Sequence, residues 1–195
     1  RVSRGLGDVY KRQILIEAET GEILYEKNSH EQLAPASMTK MMSMYLILEA
    51  INNGSMQWDE VIRVSEHAAS LGGSQIYLKP GEEMQVRDLF KSIAIASAND
   101  AVTALAERVA GTEEAFVEKM NAKAKELGMN DTVFKNPTGL TEEGHLTTPY
   151  DMSIIGRHLV QDYPEIIEFS GLYEDYIRQD TESPFWLVNT NKLLK

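Results

Sequence analysis

The stretch PASMTK, residues 35–40, runs directly into MMSMYLILEAI, residues 41–51, and the fold turns on how this junction is read. From Ser37 to Asn53 there is neither Gly nor Pro, and Gly54 stands where a helix C-cap glycine belongs. A helix of this composition is apolar on nearly every face, which predicts a buried central helix rather than a surface one. The methionines near its start suit gap-filling core positions. Two readings of Ser37 and Lys40 are open. Ser is a preferred N-cap and Lys is common in helices, so the pair fits an ordinary helix start. Alternatively, residues three apart on a helix share a face with Cβ atoms about 5–6 Å apart, close enough for a nucleophile and its base. A serine hydroxyl attacks only when a neighbouring base takes its proton. Lysine, with an ordinary pKa of about 10.4, becomes such a base when burial lowers that value. The apolar run after Lys40 supplies the burial.

Upstream, ILIEA (14–18) and ILYEK (23–27) are β-prone runs joined by ETGE, whose Gly21 suits a tight turn, so a β-hairpin is predicted. Downstream, residues 54–86 mix turns with short elements, marked by Gly72-Gly73 and Pro80-Gly81. RDLFKSIAIAS (87–97) and NDAVTALAERVAG (99–111) read as consecutive helices, with SAND (97–100) at their junction. In TEEAFVEKMNAKAKELG (112–128), Thr112 is the predicted N-cap, and Ala115, Phe116, Met120, Ala124 and Leu127 form one buried stripe. In TTPYDMSIIGRHLVQDY (147–163), Thr148 caps and Pro149 takes the first helical position. LYEDYIR and FWLVN near the end are strand-like. The pattern is α+β: a hairpin, a mostly helical body, then the beginning of more strand. Residues 1–13 are polar and patternless beside the rest of the chain, which sets them apart from a domain spanning 14–195.

Thirty Asp and Glu against 19 Lys and Arg give a net charge of -11, which disfavours a nucleic-acid partner. Without cysteine there is no thiolate nucleophile or thiolate metal site. His30, His67, His145 and His158 show no metal-ligand spacing and read as surface or core polar residues, so no metal and no cofactor are expected. No apolar run reaches the roughly 18–20 residues of a membrane span.

The second candidate site is SAND. Ser97 and Asn99 at a helix junction could relay a proton and hold a substrate carbonyl, or Asn99 and Asp100 could simply cap the second helix. S-x-x-K followed by S-x-N matches the signature of the penicillin-interacting serine enzymes. The segments ILIEAETGEILYEKN, LAPASMTKMM, GGSQIYLKPGE, DLFKSIAIASANDAVTALAE, FVEKMNAKAKELGMNDTVFKNPTGL and TTPYDMSIIGRHL resemble the D-alanyl-D-alanine carboxypeptidases, the low-molecular-mass penicillin-binding proteins, over most of the chain. The resemblance implies a β-lactamase/transpeptidase-like fold, an antiparallel sheet packed with a mostly helical body. It implies Ser37 as nucleophile, Lys40 as general base, Ser97 as proton relay and Asn99 as a substrate-binding residue that also helps orient Lys40. It further implies peptidoglycan stem peptides ending in D-Ala-D-Ala as substrate, acylation by β-lactams, an extracytoplasmic location and membrane attachment only through a C-terminal segment.

Two departures stand out. The family's third motif, K-T-G, is absent from these 195 residues, so the chain is expected to be truncated before it, with an incomplete sheet and little activity as it stands. Thr138 in NPTGL stands where many relatives have histidine. Two alternatives remain open. A β-lactamase of the same fold would use a dedicated carboxylate, for which Glu118-Lys119-Met120-Asn121 is the nearest approach to the E-x-x-L-N pattern. A catalytically silent module would keep the fold and bind cell-wall peptides.

Overall fold

A computed structural model describes residues 12–194. Strands β1 (Gln13–Ile16) and β2 (Ile23–Lys27) pair antiparallel, from Gln13 opposite Lys27 to Ile16 opposite Ile23, as the hairpin reading predicts. The separation of residues 1–13 falls, for 1–11, outside the described residues, while Gln13 itself opens β1.

A 3₁₀ turn, Ala36–Thr39, leads into α1 (Lys40–Asn52). Lys40, Met42, Ser43, Tyr45, Leu46, Ile47, Leu48 and Ala50 are buried, so α1 is the central helix that its composition predicts. Of the nearby methionines only Met42 is fully in the core, and Met38 is 52% exposed. Then come β3 (Val61–Arg63), a short α2 (Glu66–Ala69) and β4 (Glu83–Gln85). β3 and β4 pair antiparallel across a long excursion, a pairing that no local pattern announces.

α3 (Val86–Ala96), α4 (Asn99–Ala110) and α5 (Glu113–Glu126) come next, with α4 packed on α1, α3 and α5. Thr112 caps α5 by accepting from Ala115 N, and Phe116, Met120 and Ala124 are buried while Ala115 and Leu127 are half-buried. α6 (Pro149–Asp162) starts at the Thr148 cap with Pro149 in its first turn, and packs on α1. A short α7 (Ile166–Ser170) precedes the antiparallel pair β5 (Glu174–Ile177) and β6 (Phe185–Val188). The core is therefore a helical cluster around α1, centred on Ile47, Leu48, Phe90, Leu105 and Phe116, and among the described residues three small two-stranded sheets accompany it.

One polar atom inside α4 breaks the rule that buried donors are paired. Thr103 is fully buried, and its hydroxyl has no hydrogen-bond partner among the described residues. A buried unsatisfied group costs about 1–3 kcal/mol. Thr103→Val, which keeps the shape and removes the hydroxyl, is expected to raise the melting temperature by about 2–4 °C. A lower melting temperature would show that the hydroxyl has a partner after all.

Candidate active site

Ser37 sits in the 3₁₀ turn, where three residues complete a turn, so it eclipses Lys40 at the start of α1. Ser37 is exposed, and its hydroxyl is committed to no hydrogen bond among the described residues. Neither the turn nor α1 uses a side-chain cap, so Ser37 is not there as a capping residue. Lys40 is only 3% exposed, and its Nζ donates to the Thr138 carbonyl at 2.7 Å. Burial lowers its pKa from 10.5 to about 8, because the charged ammonium loses hydration that the apolar start of α1 does not replace.

The segment carrying that carbonyl is a tight loop welded to the same turn. Asn136 Oδ1 accepts from Thr138 N, Thr138 Oγ1 and Gly139 N, while its Nδ2 donates to Leu140 O. Ser43 Oγ donates to Pro137 O at 2.7 Å. Gly139, at φ +85°, lies flush on Ala36: a Cβ there would stand 1.8 Å from the Ala36 carbonyl oxygen and 3.0 Å from Ser37 N. Thr138 commits its hydroxyl to the loop and its carbonyl to Lys40.

SAND occupies the junction between α3 and α4. Ser97 closes α3 in the left-handed region (φ 57°, ψ 36°), half-buried, with its hydroxyl uncommitted among the described residues. Asn99 and Asp100 do not cap α4, whose N-cap is Ala98. Asn99 Nδ2 donates to Gly72 O at 2.7 Å, and the fully buried Asp100 carboxylate accepts from Ile76 N and Leu78 N. SAND thus anchors residues 72–78. A Cβ on Gly73 would lie 2.8 Å from Asn99 Nδ2 and 3.8 Å from Leu140, so this segment meets the loop that touches Ser37 and Lys40.

The 136–140 loop meets the Ser37 turn through Gly139, holds Lys40 through the Thr138 carbonyl and reaches Asn99 through Gly73, while Ser97 lies two residues before Asn99 at the end of α3. The partner that orients Lys40 is the Thr138 carbonyl, and the Asn99 amide is engaged with Gly72. Ala36 and Ser97 hold positive φ without being glycine, as does Tyr77 in the anchored segment. Each such residue costs about 1–2 kcal/mol, and strain of this kind clusters at functional sites.

The sequence alone assigns no site role to the Thr138 carbonyl, to Asp100, which it offers only as a cap, or to His145, which is the core polar residue of one of its two readings, 2% exposed and bonded to Thr39 and Lys135. Asp100 offered only an ambiguous signal, since an acid in the first turn of a helix is ordinary. Glu118, by contrast, lies exposed on α5, and Asn121 bonds the Phe134 backbone, so the E-x-x-N stretch belongs to a structural helix face. Among the described residues no group of three or more His, Asp or Glu side chains could hold a metal ion, and no helix is long and apolar enough to cross a membrane.

An S-x-x-K turn set beside an S-x-N corner in an α+β body defines the class of penicillin-interacting serine enzymes. The sequence profile of the D-alanyl-D-alanine carboxypeptidases, peptidase family S11, matches residues 10–195, and the chain belongs to that family. It is 59% identical over 185 residues to the D-alanyl-D-alanine carboxypeptidase DacF of Bacillus subtilis, covering 95% of this chain and 47% of the relative. The crystal structure of the D-alanyl-D-alanine carboxypeptidase DacD from Francisella tularensis superposes with a TM-score of 0.85 at 37% identity, over 90% of this chain and 42% of that one. Penicillin-binding protein D2 from Listeria monocytogenes, in its ampicillin-bound form, superposes with a TM-score of 0.80 at 31% identity, over 94% of this chain and 73% of that one. The chain thus spans about half the length of the DacF and DacD relatives.

Proposed function

We propose that this chain carries the nucleophile and base of a serine D-Ala-D-Ala carboxypeptidase acting on peptidoglycan stem peptides outside the cytoplasmic membrane. The observation that carries the reading is Lys40: a lysine buried to 3% exposure, with a pKa lowered to about 8, one turn from an exposed and uncommitted serine hydroxyl. A lysine in that state is partly neutral at physiological pH and accepts a proton.

In the proposed reaction the Ser37 hydroxyl oxygen attacks the carbonyl carbon between the two D-alanines, and Lys40 takes the hydroxyl proton. The C–N bond breaks as Ser97 gives its proton to the departing D-alanine amine and takes in turn the proton that Lys40 holds. Water then cleaves the Ser37 ester and frees the shortened peptide. Asn99 bonds the substrate backbone. The Ser37 backbone N–H faces the developing oxyanion, a contribution worth roughly 3–4 kcal/mol in comparable sites. β-Lactams offer the same amide within a ring, so opening leaves the acyl group on Ser37. The Listeria relative has been crystallised in an ampicillin-bound form, which supports β-lactam binding at this fold. The placement of Glu118 on a helix face gives no support to rapid deacylation of β-lactamase type.

The test uses the protein expressed from its complete gene. Incubation with penicillin is expected to add one drug mass to the peptide containing Ser37, and a D-Ala-D-Ala-terminated peptide to lose one D-alanine. The acylation rate should rise with pH and level off above about 8, as Lys40 gives up its proton. Unmodified Ser37 in a folded protein overturns the reading.

A further inference from the structure

The 136–140 loop closes at its base through a ladder between Val133 and Leu146, with Val133 N donating to Leu146 O at 2.8 Å and Leu146 N to Val133 O at 3.1 Å. Just inside this ladder stands His145, 2% exposed, with its ring edge-on to Phe134 at 5.9 Å. Its Nδ1 accepts the Lys135 backbone N–H at 3.0 Å, across the loop. A ring nitrogen that accepts an N–H cannot itself carry a proton, so the neutral imidazole bears its hydrogen on Nε2. Nε2 lies 2.8 Å from Thr39 Oγ1, and Thr39 is fully buried between Ser37 and Lys40. One ring therefore ties both legs of the loop to the turn holding the candidate nucleophile and base.

The charged groups around it do not overturn the neutral form. Lys135 faces the ring with its backbone N–H. Lys40, next to Thr39, turns its amine to Thr138. Glu142 accepts from Asn136 Nδ2 within the loop and pulls the imidazole pKa up, but burial outweighs it and lowers the value below 6.5. Protonation would set a ring N–H against the Lys135 N–H and break the brace.

We propose that His145 is a positioning residue: as the neutral imidazole protonated on Nε2, it braces the 136–140 loop against the Ser37 turn and so holds the Thr138 carbonyl on the Lys40 amine. This rests on Lys40 serving as the base of acylation. Without the brace the loop lifts, water reaches the Lys40 amine, and the lysine returns towards its ordinary basicity. A residue that merely stabilised the fold would not shift the pH at which the base titrates.

The experiment uses protein from the complete gene, labelled with ¹⁵N-histidine. Two-bond proton–nitrogen spectra at pH 7 are expected to show His145 protonated on Nε2. The pH dependence of penicillin acylation is then compared in wild type, His145→Ala, His145→Gln and Thr39→Val. His145→Ala is expected to move the acid-limb midpoint up by about one pH unit, cutting the rate at pH 7 about tenfold while the alkaline plateau stays within about twofold. His145→Gln, whose amide still donates to Thr39, should move it less. Thr39→Val keeps the imidazole and its bond to Lys135 while removing only the other partner, so it carries the test if His145→Ala does not fold. An Nδ1–H tautomer, or folded variants that share the wild-type midpoint, overturns the proposal and leaves the function standing. Absence of acylation in wild type overturns both.

Discussion

Replacing Ser37 with alanine is expected to abolish covalent labelling by a fluorescent penicillin, and Lys40→Met to slow labelling about a thousandfold while preserving the fold. The two variants separate the proposed nucleophile from the proposed base: one removes the atom that would be acylated, the other only the group that would take its proton. Lys40→Met also changes stability in a way that depends on pH. The folded-state pKa of Lys40, about 8, lies below its unfolded value of 10.5, so between these values the unfolded chain binds the extra proton. Burying Lys40 thus costs most below pH 8, up to about 3 kcal/mol, since each tenfold loss of proton affinity is worth about 1.4 kcal/mol, and the cost fades as pH rises to 10.5. Methionine removes that cost but leaves the Thr138 carbonyl without its donor, a loss of about 1–3 kcal/mol. Lys40→Met should therefore be about as stable as wild type or slightly more stable at pH 7, and less stable at pH 10.5. Denaturant melts at both pH values decide this. A stability difference that does not change with pH would mean that Lys40 is not desolvated, and would remove the physical basis for its role as base.

The parts of this arrangement that were legible in the sequence are those set by local rules. The hairpin showed in two β-prone runs around Gly21, α1 in its unbroken apolar length, and α5 and α6 in the Thr112 and Thr148 caps. Ser37 and Lys40 were legible through spacing, and the 3₁₀ turn brings them closer to eclipse than the α-helix that the spacing assumes. What could not be read was long-range. The Lys40 partner is a backbone carbonyl 98 residues away, and every residue has a carbonyl, so no side-chain pattern marks it. Asp100 was open to a reading as a simple cap with Asn99, whereas the fold uses it to satisfy the N–H groups of Ile76 and Leu78. His145 read as an ordinary polar histidine because its two partners lie on different segments. In each case the missing information was which backbone groups the tertiary fold leaves in need of a partner.

Gly139→Ala should be the most disruptive single-methyl change at the site. A Cβ at this position would stand 1.8 Å from Ala36 O and 2.4 Å from Ala36 C, far inside van der Waals contact, and φ +85° already disfavours any side chain. The neighbour cannot give way cheaply, because it is backbone and Ala36 is itself held at φ 48°. The loop must lift instead, taking the Thr138 carbonyl from Lys40 and the Pro137 carbonyl from Ser43. Losing two buried hydrogen bonds on top of the backbone strain is expected to cost about 3–5 kcal/mol, lowering the melting temperature by about 10 °C. Penicillin acylation should fall at least a hundredfold, since a misplacement of about 1 Å in a reacting group costs that much. Gly144→Ala is the matched control. It has nearly the same backbone, φ +79°, but its Cβ would meet only the Lys135 side chain at 3.4 Å, so it incurs the left-handed penalty of about 1–2 kcal/mol without the collision. If both variants melted together and acylated at the wild-type rate, the close seating of Gly139 on Ala36 would be irrelevant to the site. The expected wide separation between them would show that the loop's contact with the Ser37 turn, and not glycine flexibility alone, keeps the proposed nucleophile and base in register.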